Sequence, residues 1–493
     1  MLSLPGIRPN ADAHGLRTLI VGAGEAGRTL ARAFRRSPNF GLTPIGFIDD
    51  AHGLGRAIGL PVYRPILALP EVARALRADA CIVAIPSLPS RRLAAIVDAA
   101  RAAGLHVRYL PTFLAAIERE ARISDLRRLR IDRLIGRREL HVVSDRAAKL
   151  ISGRRVLVTG AGGSIGSELC RQISGFGPEA LYLLDHDESN LHRLQLELTG
   201  SGLLDSDEII IADIRDRRRI DQVFAATKPE LIFHAAAHKH LPLLERHPGE
   251  AVKTNVWGTQ NVVEAAAKFG SSRFVLISTD KAADPTSVLG ASKRLAELVV
   301  QAHAGSPVAL ASVRFGNVLG SRGSLLSVVA DQIARDEPVT VTHPDVTRFF
   351  MTVEEAVGLV LETAAMAEYA ETFVLDMGEP VAIVNLVRNY AEQLNLPGVE
   401  IRYTGLRPGE KLSEKVFSDA EQRVPSAHPK IWATRSAKQS DGFDLLLSSL
   451  YEAADDGDPA KVKELLARLV PEYQPADVGP TPVGVGALYP DDF

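Results

Sequence analysis

Cysteine is almost missing from this sequence: there are two in 493 residues. That is too few for a disulfide framework and fits a reducing compartment. Cys81 and Cys170 both fall in apolar runs, where a thiol packs as a small hydrophobe. Long apolar runs are missing too. No stretch approaches the roughly 18 residues of a membrane helix, and Met1–Pro9 lacks the charged-then-apolar layout of a secretory signal. The expected address is the cytoplasm. An excess of one charge is also missing. The 57 basic and 60 acidic side chains leave a net charge of −3, which exerts no general pull toward nucleic acid or anionic lipid. His238 and His240 have no carboxylate or cysteine cluster beside them, so no metal site is expected.

What is present is alternation. With 46% hydrophobic and 24% charged residues the composition is globular, and the length calls for two or three domains. Strand-like and helix-like runs alternate, which predicts an α/β protein with parallel sheets. The alternation starts twice, so two Rossmann-type domains in tandem are expected. The first start is Arg17–Val21 leading into Gly22-Ala-Gly24-Glu-Ala-Gly27, then a helix-like Arg28–Arg36. A strand-like Pro44–Ile48 follows, ending in Asp49-Asp50, and Ala80–Ile85 precedes Pro86. This domain spans residues 1–115, with its pattern beginning near 15. Its glycines and Asp49 suit either a second nucleotide or a degenerate domain used for assembly. No catalytic set follows Pro86, so a regulatory or structural role is expected.

Residues 116–150 form an arginine-rich connector, with Arg119, Arg122, Arg127, Arg128, Arg130, Arg133, Arg137 and Arg138 interleaved with Glu118, Asp125 and Asp132. Interleaving favours a solvated linker over a basic docking patch. Residues 151–470 make the second domain. Strand-like segments recur at Leu181–Leu184, Glu208–Ile211, Leu231–His234, Phe274–Ser278 and Val308–Arg314. Beyond Asn317, prolines break the pattern, which suits a small substrate lobe. Asp458–Leu469 has the spacing of an amphipathic helix. Residues 471–493, rich in Pro, Gly and Asp, are expected to be a disordered tail.

The second start reads Gly160-Ala-Gly-Gly163-Ser-Ile-Gly166 after an apolar strand. Glycine is needed where the turn is tight, the backbone approaches a pyrophosphate and the helix packs near the strand. The helix N-terminus adds N–H donors around Ser164 and Ile165. The spacing resembles that of the short-chain dehydrogenase/reductase superfamily. Asp185 ends the next strand, where a carboxylate accepts from ribose hydroxyls and favours NAD, with NADP possible. Its bland alternative is a turn aspartate. Asp213 and Ile214 are placed under the adenine, and Ala235, after the fourth strand, is counted with the cofactor residues.

That superfamily pairs a tyrosine with a lysine four residues later on one helix face. Here the lysine is Lys293 and the earlier position is Leu289, which transfers no proton. Thr279, Asp280 and Lys281 stand at the C-terminal end of a strand, where open α/β sheets place ligands. The segment Ser278-Thr-Asp-Lys-Ala-Ala-Asp-Pro-Thr-Ser-Val-Leu-Gly-Ala-Ser-Lys-Arg294 resembles the signature of the large UDP-N-acetylglucosamine 4,6-dehydratases of bacterial polysaccharide and glycan biosynthesis. The blocks His234–His240, Val313–Gly320, Val341–Met351 and Thr404–Lys411 agree, and the resemblance covers about residues 15 to 470. The family's large members usually carry N-terminal membrane helices, of which this sequence has none. A soluble or shortened member is expected, in the cytoplasm or peripheral to the inner membrane. Methionine is common at the place of Leu289, a near-isosteric swap.

The resemblance implies a recycled NAD, hydride removal from carbon 4 of a UDP-sugar, loss of water across carbons 5 and 6, and return of the hydride to carbon 6. It implies retention at carbon 5 and a homo-oligomer. Lys281 becomes the carbon-5 base, Asp280 the acid and the candidate for removing the carbon-4 hydroxyl proton, and Thr279 a hydrogen-bond partner of that oxygen. Asn317 is placed on the diphosphate-sugar, and Arg407 with Glu410 on the uridine ribose and phosphate. Lys239, Arg322 and Arg348 are further substrate candidates. Asn255 is grouped with them but matches an asparagine that orders the active-site helix. Two other readings compete: a nucleotide-sugar 4-epimerase, which usually keeps the tyrosine, and a non-catalytic nucleotide-binding scaffold.

Overall fold

The structure is a computed structural model that describes residues 16–36, 42–50, 55–85, 96, 99–100, 103–109, 143–200, 206–321, 324–335, 337–393, 398–435 and 442–475. The chain divides into two compact units, Met1–Leu129 and Arg130–Phe493. Most of the arginine-rich connector, residues 116–142, and Arg322 lie outside the described residues.

The first unit is a six-stranded sheet in the order β3-β4-β2-β1-β5-β6. Its strands are β1 (Leu16–Val21), β2 (Leu42–Ile48), β3 (Arg56–Ala57), β4 (Leu60–Tyr63), β5 (Ala80–Val83) and β6 (His106–Tyr109). β1, β2, β4, β5 and β6 run parallel, and the sheet buries a core that includes Leu19, Val21, Ile48 and Val83. The helix Glu25–Arg36 follows the glycine loop. Asp49 accepts a hydrogen bond from the Ala23 amide at 2.6 Å, so the acid after β2 closes onto that loop.

The second unit is built on a nine-stranded sheet. Its first strands are β7 (Arg155–Thr159), β8 (Ala180–Asp185), β9 (Ile209–Ile211), β10 (Leu231–His234), β11 (Arg273–Ile277) and β12 (Ala309–Arg314). Then come β13 (Asn317–Leu319), β14 (Val339–Val341), β15 (Thr347–Arg348), β16 (Phe350–Thr352), β17 (Glu371–Leu375), β18 (Val381–Ala382), β19 (Ile401–Tyr403), β20 (Gln422–Pro425) and β21 (Ile431–Arg435). The sheet order is β20-β21-β17-β12-β11-β10-β7-β8-β9, parallel from β9 to β17 and antiparallel at β21 and β20. Period-two alternation feeds two cores. Leu157, Ile232 and Phe274 face one helix layer, and Val156, Val158 and Phe233 face the other. The pairs β13–β16, β14–β19 and β15–β18 make the small lobe.

Two expectations are corrected here. Not everything after Asn317 belongs to the lobe. β17, β20 and β21 rejoin the main sheet, and the helix Val353–Met366 is buried along most of its length. The start of the expected tail is packed: Tyr473 is buried, and the Gln474 amide donates to the Pro285 carbonyl at 3.0 Å. Residues 476–493 lie outside the described residues. Among the described residues, no helix is long and apolar enough to cross a membrane. Cys81 and Cys170 are both buried, and burial pushes the Cys81 thiol up to about 12.

Candidate active site

β7 and β10 are neighbours, yet the chain leaves them toward opposite edges of the sheet. The crevice beyond their C-terminal ends is where such sheets hold ligands. The loop after β7 lies there. Gly160 has φ +66°, and a Cβ on it would sit 2.6 Å from the Ala236 amide nitrogen, so this loop and the one after β10 touch through bare backbone. A Cβ on Gly166 would meet the Gly160 carbonyl oxygen at 2.1 Å. Gly163 is exposed and precedes the helix Ser164–Ser174, with Ser164 and Ile165 half-buried at its mouth. This cradle fits a pyrophosphate: no side chain blocks it and a helix N-terminus faces it.

Asp185 is buried at the end of β8 and accepts from the Gly162 amide at 2.9 Å and the Asp187 amide at 3.0 Å. Gly162 is a loop residue that sequence reasoning passed over. A Cβ there would press on Asn190 Cβ at 2.5 Å. Asp213 is clamped by Arg215, whose side chain donates to it at 2.7 and 2.9 Å. Ile214 is buried against Gly258 rather than standing open. The Ala235 amide donates to the Thr159 carbonyl at 3.1 Å, which ties the two loops together. Beneath them, His234 is fully buried between the hydroxyls of Thr159 and Thr259, at 2.7 and 3.0 Å. Burial, helped by the charge of Lys293, pulls its pKa down to about 3, so the ring stays neutral.

The chain next delivers Thr279, Asp280 and Lys281 at the end of β11. Thr279 caps a short 3-10 turn, Asp280–Ala282, and its hydroxyl donates to Asp280 Oδ1 at 3.0 Å. Asp280 has no exposed surface. Its Oδ1 also accepts from Lys281 Nζ at 2.9 Å, while its Oδ2 has no hydrogen-bond partner among the described residues. A buried carboxylate oxygen without a partner is costly and marks a site where something else binds or a proton comes and goes. Lys281 Nζ lies 3.4 Å from Asn317 Oδ1 on β13 and 3.9 Å from Glu414 Oε1. Burial pulls its pKa down, but Asp280 and Glu414 outweigh that and hold the ammonium above the usual lysine value.

Lys293 lies on the helix Val288–Ala302, capped by Ser287. It is buried and donates to the Ile277 carbonyl at 2.6 Å. Burial pulls its pKa down to about 8. Leu289, one turn earlier, is buried in the core, so no hydroxyl takes the tyrosine's place. Asn255 is wholly buried. Its amide bonds the His238 backbone at 2.8 and 3.1 Å and the Ser292 hydroxyl at 3.0 Å. It orders the helix that carries Lys293 and has no face left for substrate, which corrects its grouping with the substrate residues.

The lobe contributes a second ring. Arg348 donates to Glu410 at 3.1 Å and to the Leu412 carbonyl at 3.2 Å, and Thr342 donates to Glu410 at 3.0 Å. Arg407 is more than half exposed, with its amide on Glu410 at 3.2 Å. Lys239 is exposed on the loop after β10. Glu414 is the carboxylate that sequence reasoning missed.

Residues 156–436 match the family described as polysaccharide biosynthesis protein, and residues 7–111 match a CoA-binding domain. The chain is 41% identical over 426 residues to a probable polysaccharide biosynthesis protein, EpsC, of Bacillus subtilis, covering 84% of this chain and 70% of that one. It is 31% identical over 281 residues to a UDP-N-acetylglucosamine 4,6-dehydratase (inverting) of Campylobacter jejuni, covering 56% of this chain and 80% of that one. It is 30% identical over 276 residues to a UDP-glucose 4-epimerase of Rickettsia rickettsii, covering 54% and 79%. Among solved structures, Pen from Bacillus thuringiensis shares 32% identity with a TM-score of 0.54, covering 58% of this chain and 90% of that one. The chain belongs to the polysaccharide biosynthesis protein family.

Proposed function

We propose that this chain is a nucleotide-sugar 4,6-dehydratase acting on UDP-N-acetylglucosamine with a tightly held NAD. The observation that carries the reading is the pairing of Leu289 with Asp280: no tyrosine is present where an epimerase usually keeps one, and a buried carboxylate oxygen stands open beside a lysine. The loop Gly160–Gly166 would hold the dinucleotide's pyrophosphate, Asp185 its ribose, and Lys293 the nicotinamide ribose. Bound there, the nicotinamide supplies the hydride acceptor at carbon 4 and the hydride donor at carbon 6.

The chain's own residues move the protons. Asp280 Oδ2 takes the carbon-4 hydroxyl proton as that carbon is oxidised to a ketone. The ketone acidifies the carbon-5 hydrogen, which Lys281 removes. Asp280 gives its proton to the departing carbon-6 hydroxyl, which leaves as water. Lys281 returns a proton to carbon 5. Thr279 steadies the carbon-4 oxygen. Arg348, Arg407, Glu410, Asn317 and Lys239 receive the nucleotide and diphosphate, since cationic and amide donors suit phosphate oxygens.

Turnover in deuterium oxide tests this route. A base at carbon 5 that exchanges with solvent leaves one deuterium at carbon 5 of a 4-keto-6-deoxy product, whose configuration there is read by NMR in the same sample. Deuterium-free product of unchanged mass and inverted carbon 4 points to epimerisation instead.

A further inference from the structure

Lys281 rests as an ammonium, held at 2.9 Å by Asp280. A base must first lose that proton. In the proposed dehydration Asp280 is unable to take it, because by then it carries the proton of the carbon-4 hydroxyl. One other carboxylate reaches Lys281 among the described residues. Glu414, whose side chain is 4% exposed, has Oε1 3.9 Å from Lys281 Nζ, and its Oε2, 3.7 Å from Lys411 Nζ, accepts no hydrogen bond among the described residues. A buried acid that holds no hydrogen bond at Oε2, beside a lysine that must shed a proton, is more than packing requires.

We propose that Glu414 is a positioning residue of this site that acts through Lys281: it takes the Lys281 proton while the reaction runs and gives it back at the end. The proposal rests on the dehydratase reading. It closes the proton balance. The carbon-4 hydroxyl proton passes through Asp280 into water, and the carbon-5 hydrogen passes to Lys281 and back. The resting proton of Lys281 waits on Glu414 in between. At 3.9 Å, one bridging water or a shift of about 1 Å completes the transfer path.

The surroundings of both groups agree. Lys281 faces Asp280 on its own turn, Asn317 on β13, and Glu414 and the cationic Arg348 from the lobe. Glu414 in turn has Lys411 at 3.7 Å, and Lys411 is anchored on the Asp284 carbonyl.

The full chain with Glu414→Gln is the test, read in two ways. With UDP-N-acetylglucosamine, kcat at neutral pH falls at least about tenfold while KM stays within about threefold. The deficit shrinks as pH rises, because hydroxide then removes the proton that glutamine is unable to hold. Glu414→Asp recovers part of the loss. The second reading needs no substrate: pulse acetylation of amines, followed by peptide mass spectrometry, gives the titration midpoint of Lys281. Without the Glu414 charge it drops by about one pH unit or more. An unchanged midpoint, or a kcat deficit equal at every pH, overturns the proposal. If the wild type turns over no UDP-sugar, the dehydratase reading fails, yet the midpoint still decides whether Glu414 governs the Lys281 proton.

Discussion

Oδ2 of Asp280 is the atom on which the proposed chemistry turns. Oδ1 is taken by Thr279 and Lys281, so in the proposed route the neighbouring oxygen carries one proton from carbon 4 to carbon 6. Asp280→Asn and Lys281→Ala are each expected to lower turnover by about 10²- to 10⁴-fold. NAD affinity should stay unchanged, because the glycine loop does not involve either side chain. Steady-state rates and cofactor titration check both halves, and near-wild-type rates would contradict the assignment. Thr279, Asp280 and Lys281 were legible because they are contiguous, and because Leu289 breaks the usual pairing with Lys293. Glu414 was not legible: its partner Lys281 is remote in sequence, and only the folded lobe brings them together. Asn255 was read from the sequence as an asparagine that orders the active-site helix, and its bonds to the His238 backbone and the Ser292 hydroxyl are of that kind.

Two elements shape the site. One is the loop after β7. An alanine at Gly166 would drive its Cβ against the Gly160 carbonyl, pushing the helix off the strand. Gly166→Ala should lose more than about tenfold in NAD affinity. Gly163→Ala, whose Cβ would find its nearest neighbour at 3.1 Å, should lose less. The other element is a buried ion network behind the catalytic strand. Glu297 accepts from Ser278 at 2.6 Å and from Arg314 at 2.6 and 2.7 Å, and Arg314 also holds Glu421 at 2.7 and 2.8 Å. It joins the end of β11, the helix of Lys293, β12 and the segment before β20. Arg314→Met leaves Arg294, at 3.1 Å from Glu297 and 3.7 Å from Glu421, as the one cation for both buried carboxylates among the described residues, and is expected to cost about 3 kcal/mol, read from the denaturant midpoint. Strand ends were legible to within a residue or two wherever apolar runs met turns, as at β10 and β12. β20 and β21 were not. Their antiparallel pairing to the main sheet depends on β17, and the prolines nearby read as irregular chain.

At the scale of the whole molecule, the chain repeats one device. In the first unit Asp49 closes on the Ala23 amide, and in the second Asp185 closes on the Gly162 amide. In the second unit, Thr279, Asp280 and Lys281 follow the strand β11. The final helices, Phe443–Asp455 and Pro459–Leu469, pack into the core of that second unit through Leu447, Leu450, Val462 and Leu466. The helix of Lys293 is buried along nearly its whole length. The central claim is that this enclosed site removes water from a nucleotide sugar. Incubating the full chain with NAD and UDP-N-acetylglucosamine and weighing the product tests it most directly. The account predicts a loss of about 18 mass units, one water, with no net consumption of NAD. A product of unchanged mass, or an unaltered substrate, would contradict it.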